Sequence, residues 1–179
     1  MQIRFTNVLI ALAVISLALA ACDTTDPFRI PPPDFSTVPE ALDITGLDPI
    51  EIEEGVEAYI HNEGEGDFEV TIRDNISVFL TLRTTEGEII YSSFNDGRTS
   101  PTSIGVGNIQ LNANIFQYSV FLAFTPGLRS GILGMKEGET RTLIVSPERG
   151  FRGLPDNTTN SRFRDSSLQY DIELVSIAN

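Results

Sequence analysis

His61 is the only histidine, Cys22 the only cysteine, and tryptophan is absent. The side chains that most often serve as bases, nucleophiles and metal ligands are therefore scarce. Hydrolytic triads need a histidine beside the nucleophile, and transition-metal sites need several His or Cys ligands. A phosphate-binding G-x-x-x-x-G-K segment does not occur either. Glu63 and Glu65, flanked by Gly64 and Gly66, lack the ligand spacing of a calcium loop and read as a solvated turn. His61 reads as a surface or strand residue. No metal and no cofactor is expected. What remains is aromatic and apolar: Tyr91 and Phe151 stand beside turns, where rings can line the mouth of a pocket. Such a pocket acts by excluding water and aiming one or two hydrogen bonds.

The element that must position such a pocket lies between Pro126 and Gly153. Thr125 is a capping residue, Pro126 suits the first helical position, and Leu128, Ile132 and Leu133 recur at helical spacing. A short amphipathic helix is predicted. Gly131 and Gly134 each lower helix propensity by up to about 1 kcal/mol, which points to close packing on a sheet, with Gly134 as a possible stop. Lys136, Glu137 and Gly138 then form a polar turn. Arg141 to Ser146 alternates with Leu143 and Val145 on one face, and Pro147 ends that strand.

The spacing of Gly127, Leu128, Gly131, Ile132, Met135, Gly138, Glu139, Arg141, Leu143, Val145 and Pro147 resembles the FKBP-type peptidyl-prolyl isomerases. Gly87 with Tyr91, Ser92 and Ser93 resembles that family's DG..FDSS segment, and Leu168 to Ile177 its closing strand. The resemblance covers roughly residues 55 to 177. It implies an α+β fold, a curved antiparallel sheet wrapped around one short helix. It also implies prolyl isomerisation, whose uncatalysed barrier of about 18 to 20 kcal/mol comes from lost amide resonance.

Carried over residue by residue, the family's pocket falls on Leu80, Ile90, Tyr91, Phe124, Thr125, Leu128, Phe151 and Tyr170. Tyr91 and Phe151 take the catalytic positions and the other six the substrate-binding ones. Apolar character persists, but polar groups are lost. Phe151 lacks the hydroxyl that the family uses to hold a substrate carbonyl, a hydrogen bond worth about 0.5 to 1.5 kcal/mol. Tyr91 replaces a carboxylate, and Leu128 replaces a tryptophan. Two functions are consistent with this pattern. One is an isomerase acting on Xaa-Pro segments of exported or unfolded proteins. The other is an eroded FKBP-like scaffold that serves as a chaperone or an envelope protein-binding module.

Around this domain the chain is organised for export. The apolar run Val8 to Ala21 is short for a membrane span and has the layout of a secretory signal. Leu19, Ala20, Ala21 and Cys22 resemble a bacterial lipobox, which implies signal removal after residue 21 and lipidation of Cys22. Two or three acyl chains would hold the protein at a membrane, since each buried methylene contributes about 0.8 kcal/mol. The cell envelope is the expected location. Residues 22–49, with Pro27, Pro31, Pro32, Pro33 and Pro39, read as a tether or an ordered N-terminal arm. Residues 50–179 form the domain. Val56 to Ile60, then Phe68, Val70 and Ile72, then Ile76 to Leu82 alternate as antiparallel strands, and Glu86 and Gly87 turn the chain into Glu88 to Ser92. An apolar insertion at about 108–124 departs from the family and either completes the core or offers a partner surface. The net charge of −13 makes nucleic acid an unsuitable partner.

Overall fold

Val78, Leu80 and Leu82 alternate with Phe79, Thr81 and Arg83, and this period creates the strand that gives the sheet two different faces. In the computed structural model, which describes residues 31–107, 124–153 and 161–178, it is β3 (Asn75–Thr84). The strands before it are β1 (Ile50–Glu53) and β2 (Val56–Glu63). Those after it are β4 (Ile89–Ser92), β5 (Thr102–Gly105), β6 (Glu139–Val145) and β7 (Leu168–Ala178). The order is β1-β2-β6-β7-β3-β4, with every pairing antiparallel. β7 occupies one edge of β3 along its whole length, so β5 and β4 share the other edge, β5 at Asn75–Val78 and β4 at Thr81–Arg83. Among the described residues one short helix, α1 (Pro126–Ile132), packs on this curved sheet. The expected α+β class is what forms.

The helix is made and stopped by the residues that foretold it. Thr125 Oγ1 accepts a hydrogen bond from Leu128 N at 3.2 Å, satisfying one of the orphan N–H groups of the first turn. Gly134 takes φ +76°, which turns the chain out of the helix, and its N–H donates to Val70 O at 2.9 Å. Gly127 and Gly131 lie against β6. A Cβ on Gly131 would stand 2.2 Å from Leu143 Cδ1, and one on Gly127 2.5 Å from Val145 Cγ1. The end of α1 is fastened from below. Arg141 donates through Nη1 to Gly131 O at 2.7 Å and through Nε to Glu139 Oε1 at 2.6 Å, and Glu139 Oε2 accepts from Lys136 N at 2.9 Å. Arg141 and Glu139 are both buried, so this ion pair stands only because each member's remaining polar atoms also find partners.

Register carries apolar side chains across the sheet in rows. Ala58 pairs with Leu143, Leu143 with Tyr170, Tyr170 with Leu82 and Leu82 with Tyr91, and all five are buried. This is the face that α1 covers. The opposite face carries Phe79, Thr81, Arg83, Asp171 and Glu173.

Two expectations take a different form. Phe68, Val70 and Ile72 do not make a strand. Their segment has a single bridge, Glu69 with Lys136, and Val70 is buried while Phe68 and Ile72 are 71% and 53% exposed. The partner is the turn after α1, too short to extend a ladder, so only Val70 is gripped, its N–H donating to Met135 O at 2.9 Å. Within the expected tether, residues 34–42 are tied to the domain as an arm. Asp96 N donates to Asp34 O, Thr37 Oγ1 to Phe94 O, Arg83 to Pro39 O, and Leu42 N to Asp171 Oδ2. The expected signal segment, Cys22 and residues 108–123 of the insertion lie outside the described residues. No helix among those described is long and apolar enough to cross a membrane.

Gly131→Val places two methyl groups where Leu143 already sits. We expect a loss of about 2 to 3 kcal/mol in urea-denaturation stability, the upper range for overpacking a core. A variant as stable as the parent would show that α1 stands further from β6.

Candidate functional site

The eight residues picked from sequence come from six places in the fold. Leu80 is on β3, Ile90 and Tyr91 on β4, Phe124 and Thr125 at the entrance to α1, Leu128 in its first turn, Phe151 in a 3-10 turn after β6, and Tyr170 on β7. The structure brings them together. Seven belong to one contiguous buried cluster, and Thr125 reaches it through a hydrogen bond. None is more than 7% exposed.

The 3-10 turn that carries Phe151 (Phe151–Gly153) is positioned by the reverse turn that Pro147 begins. Gly150 N and Arg149 N donate to Ser146 O at 2.8 and 3.1 Å, and Arg152 N donates to Pro147 O at 3.0 Å. Gly127 N then donates to Arg149 O at 2.8 Å, fixing this turn to the start of α1. Phe151 is fully buried, its ring tilted 35° against Phe163 at 6.2 Å between centroids, a favourable aromatic arrangement. Phe163 supplies this contact from a second 3-10 turn (Ser161–Phe163), and sequence reasoning missed it because no periodic pattern surrounds it.

The hydroxyls of the site are engaged within the protein. Thr125 Oγ1 and Tyr170 Oη share a hydrogen bond at 2.9 Å, so one threonine both caps α1 and ties β7 to the cap. Tyr91 Oη and Thr102 Oγ1 share another at 3.1 Å. Thr102 was not foreseen, since nothing before the fold places β5 beside β4. Burial pushes both phenols above the ordinary tyrosine value, and in each the hydrogen bond to threonine offsets part of that rise. Ser92 and Ser93 also have structural work. Ser92 Oγ and Thr81 Oγ1 share a hydrogen bond at 2.9 Å, and Ser93 Oγ accepts from Leu80 N at 3.0 Å, closing the ladder where β4 ends.

The result is a buried, largely apolar cluster beside a helix N-terminus, built from two loops and four elements. A family model described as FKBP-type peptidyl-prolyl cis-trans isomerase matches residues 66–175. The chain belongs to that family. Its FKBP-type domain is 25% identical over 130 residues to FK506-binding protein 1A of Neurospora crassa, covering 69% of this chain and 89% of that protein. Among solved structures, the N-terminal domain of FKBP42 from Arabidopsis thaliana aligns with TM-score 0.55 and 17% identity, over 80% of this chain and 99% of that one. FkpA from Escherichia coli aligns with TM-score 0.50 and 20% identity, over 69% of this chain and 48% of that one. The alignment thus spans about half of FkpA. At these identities the structural matches speak for the FKBP fold.

The buried phenols set a pH limit. Their folded-state pKa lies above the unfolded value of 10.0, so their contribution is fully present below pH 10 and is lost as pH rises through that range. We expect unfolding free energy to decline above pH 10, and less steeply in Tyr170→Phe. Equal slopes in the two proteins, measured by urea denaturation at stepped pH, would remove Tyr170 from this account.

Proposed function

We propose that the chain is an active peptidyl-prolyl cis-trans isomerase that acts on Xaa-Pro bonds of exported polypeptides, held at the cell envelope by a lipid on Cys22. Membership of the FKBP-type family through residues 66–175 carries this reading, and the gathering of the candidate residues, seven in one buried apolar cluster with Thr125 hydrogen-bonded to it, supports it. The chemistry asks for no base, nucleophile or metal. A planar amide is dipolar and is best solvated by water, whereas the twisted transition state has lost that resonance. Apolar surroundings therefore favour the twisted form over the planar one. Each 1.36 kcal/mol or so gained this way speeds the interconversion about tenfold. In this assignment Phe151, Leu128 and Phe124 supply the apolar wall, Leu80, Ile90 and Tyr170 its floor, Thr125 fixes the entrance to α1, and Tyr91 closes the side toward β5.

A second reading has its own observation. The two tyrosine hydroxyls and the Thr125 hydroxyl are bonded to one another or to Thr102, and Phe151 and Leu128 bring no polar group. A site with few free donors is suited to holding an apolar segment, so a chaperone or envelope protein-binding module with weak catalysis fits as well.

With a Xaa-Pro peptide in a protease-coupled assay, the isomerase reading expects acceleration over the uncatalysed rate. Phe151→Leu, checked for folding by circular dichroism, is expected to lower kcat/KM by about tenfold, equivalent to roughly 1.4 kcal/mol of transition-state stabilisation. No acceleration by the parent protein would leave the binding-module reading. Cys22→Ser is expected to move the protein from the membrane to the soluble fraction and to abolish labelling by a radioactive fatty acid. Persistence of either property would rule out the anchor.

A further inference from the structure

The face of the sheet turned away from α1 carries a groove of about 230 Å³, roofed on one side by the N-terminal arm. The isomerase cluster uses the inward residues of β3 and β7, Leu80 and Tyr170, whereas this groove uses their outward neighbours. Its apolar lining comes from Phe79 and Phe94, whose rings stack at 5.0 Å and 10° between planes, with Pro39 and Leu42 of the arm opposite them. At its floor, Arg83 and Asp171 form an ion pair at 3.4 Å with side chains only 7% and 10% exposed.

Two features of this groove specify a ligand. Glu173 is the register partner of Phe79, so an exposed carboxylate stands directly beside an aromatic face, and exposed Glu40 adds a second carboxylate from the arm. Asp171 is neutralised by Arg83, which leaves Glu40 and Glu173 as the uncompensated charges of the lining. Arg83 Nη2 donates to Pro39 O at 3.2 Å, which fastens the arm beside the groove.

We propose that this groove docks an extended segment of a partner protein through a basic side chain. The methylene stem or guanidinium plane of an Arg or Lys would lie on Phe79 and Phe94, and its cation would face Glu40 and Glu173. Long basic side chains suit such a place because they cover apolar surface while keeping the charged head near carboxylates, and an aromatic face adds cation–π attraction. Charge argues for a different protein over a second copy of this one, since the chain itself carries −13. The site is separate from the isomerase cluster, so both can be occupied together.

Fluorescence anisotropy with labelled proline-free peptides, acetyl-Ala-Phe-Arg-Ala-amide and the same peptide with Glu for Arg, tests this on the full-length chain. The Arg peptide is expected to bind and the Glu peptide to bind at least about tenfold more weakly. The double variant Glu40→Gln/Glu173→Gln changes only exposed carboxylates and is expected to weaken the Arg peptide by about five- to tenfold, two exposed ion pairs' worth, with Xaa-Pro isomerisation unchanged. Phe79→Leu is expected to weaken it further. Equal binding of both peptides, no response to the double variant, or displacement of the Arg peptide by a Xaa-Pro peptide would each overturn the proposal. Concentration-dependent self-association abolished by the double variant would do so too, assigning the groove to a second copy.

Discussion

The buried pair of Glu139 and Arg141 is the interaction on which the rest of this fold leans. Two opposite charges are taken out of water at the start of β6, and they are tolerable there because their remaining atoms are bonded as well, Arg141 to the carbonyl of Gly131 and Glu139 to the N–H of Lys136. Those two partners lie at the end of α1 and in the turn that follows it. The pair therefore fixes the helix end, the turn and the strand to one another. The helix lies so close to β6 that a Cβ at 127 or 131 would press on Val145 or Leu143. Loss of either charge would leave the other buried and alone, a penalty of about 3 to 5 kcal/mol in comparable sites.

Once α1 is fastened to β6, the site follows from position more than from reactive chemistry. Thr125 links the helix cap to Tyr170 on β7, and Gly127 links the first turn to the loop that carries Phe151. The aromatic residues are thus held by main-chain bonds and by hydroxyls bonded within the protein. This arrangement suits a reaction that requires a water-poor environment and no proton transfer. It also explains how the FKBP framework persists here while the polar residues that the family resemblance led one to expect are replaced.

The two faces of the sheet divide the chain's properties. Toward α1, β3 and β7 present Leu80, Leu82, Tyr170 and Ile172. Away from it they present Phe79, Arg83, Asp171 and Glu173, over which the arm of residues 34–42 is bonded. Alternation along a strand makes both sets available from one stretch of sequence. The arm turns the second set from an open surface into a groove.

Local order in this protein was legible from residues near one another. Thr125, Pro126 and Gly134 bound the helix, the glycines at 127 and 131 signal close approach, and the alternation of β2, β3, β6 and β7 gives the class of fold, because caps, turns and strand periods act over a few residues. The resemblance to the FKBP-type family rests on the same short segments. Only the tertiary structure decided how distant groups were matched. The Thr125 hydroxyl meets Tyr170 at a separation of 45 residues, and Leu42 meets Asp171 at 129. Phe68, Val70 and Ile72 alternate like a strand, yet the one bridge their segment makes among the described residues is to a turn too short to extend a ladder. In each case the outcome depends on which polar group or strand edge is left unsatisfied elsewhere, and no periodicity within a segment contains that information.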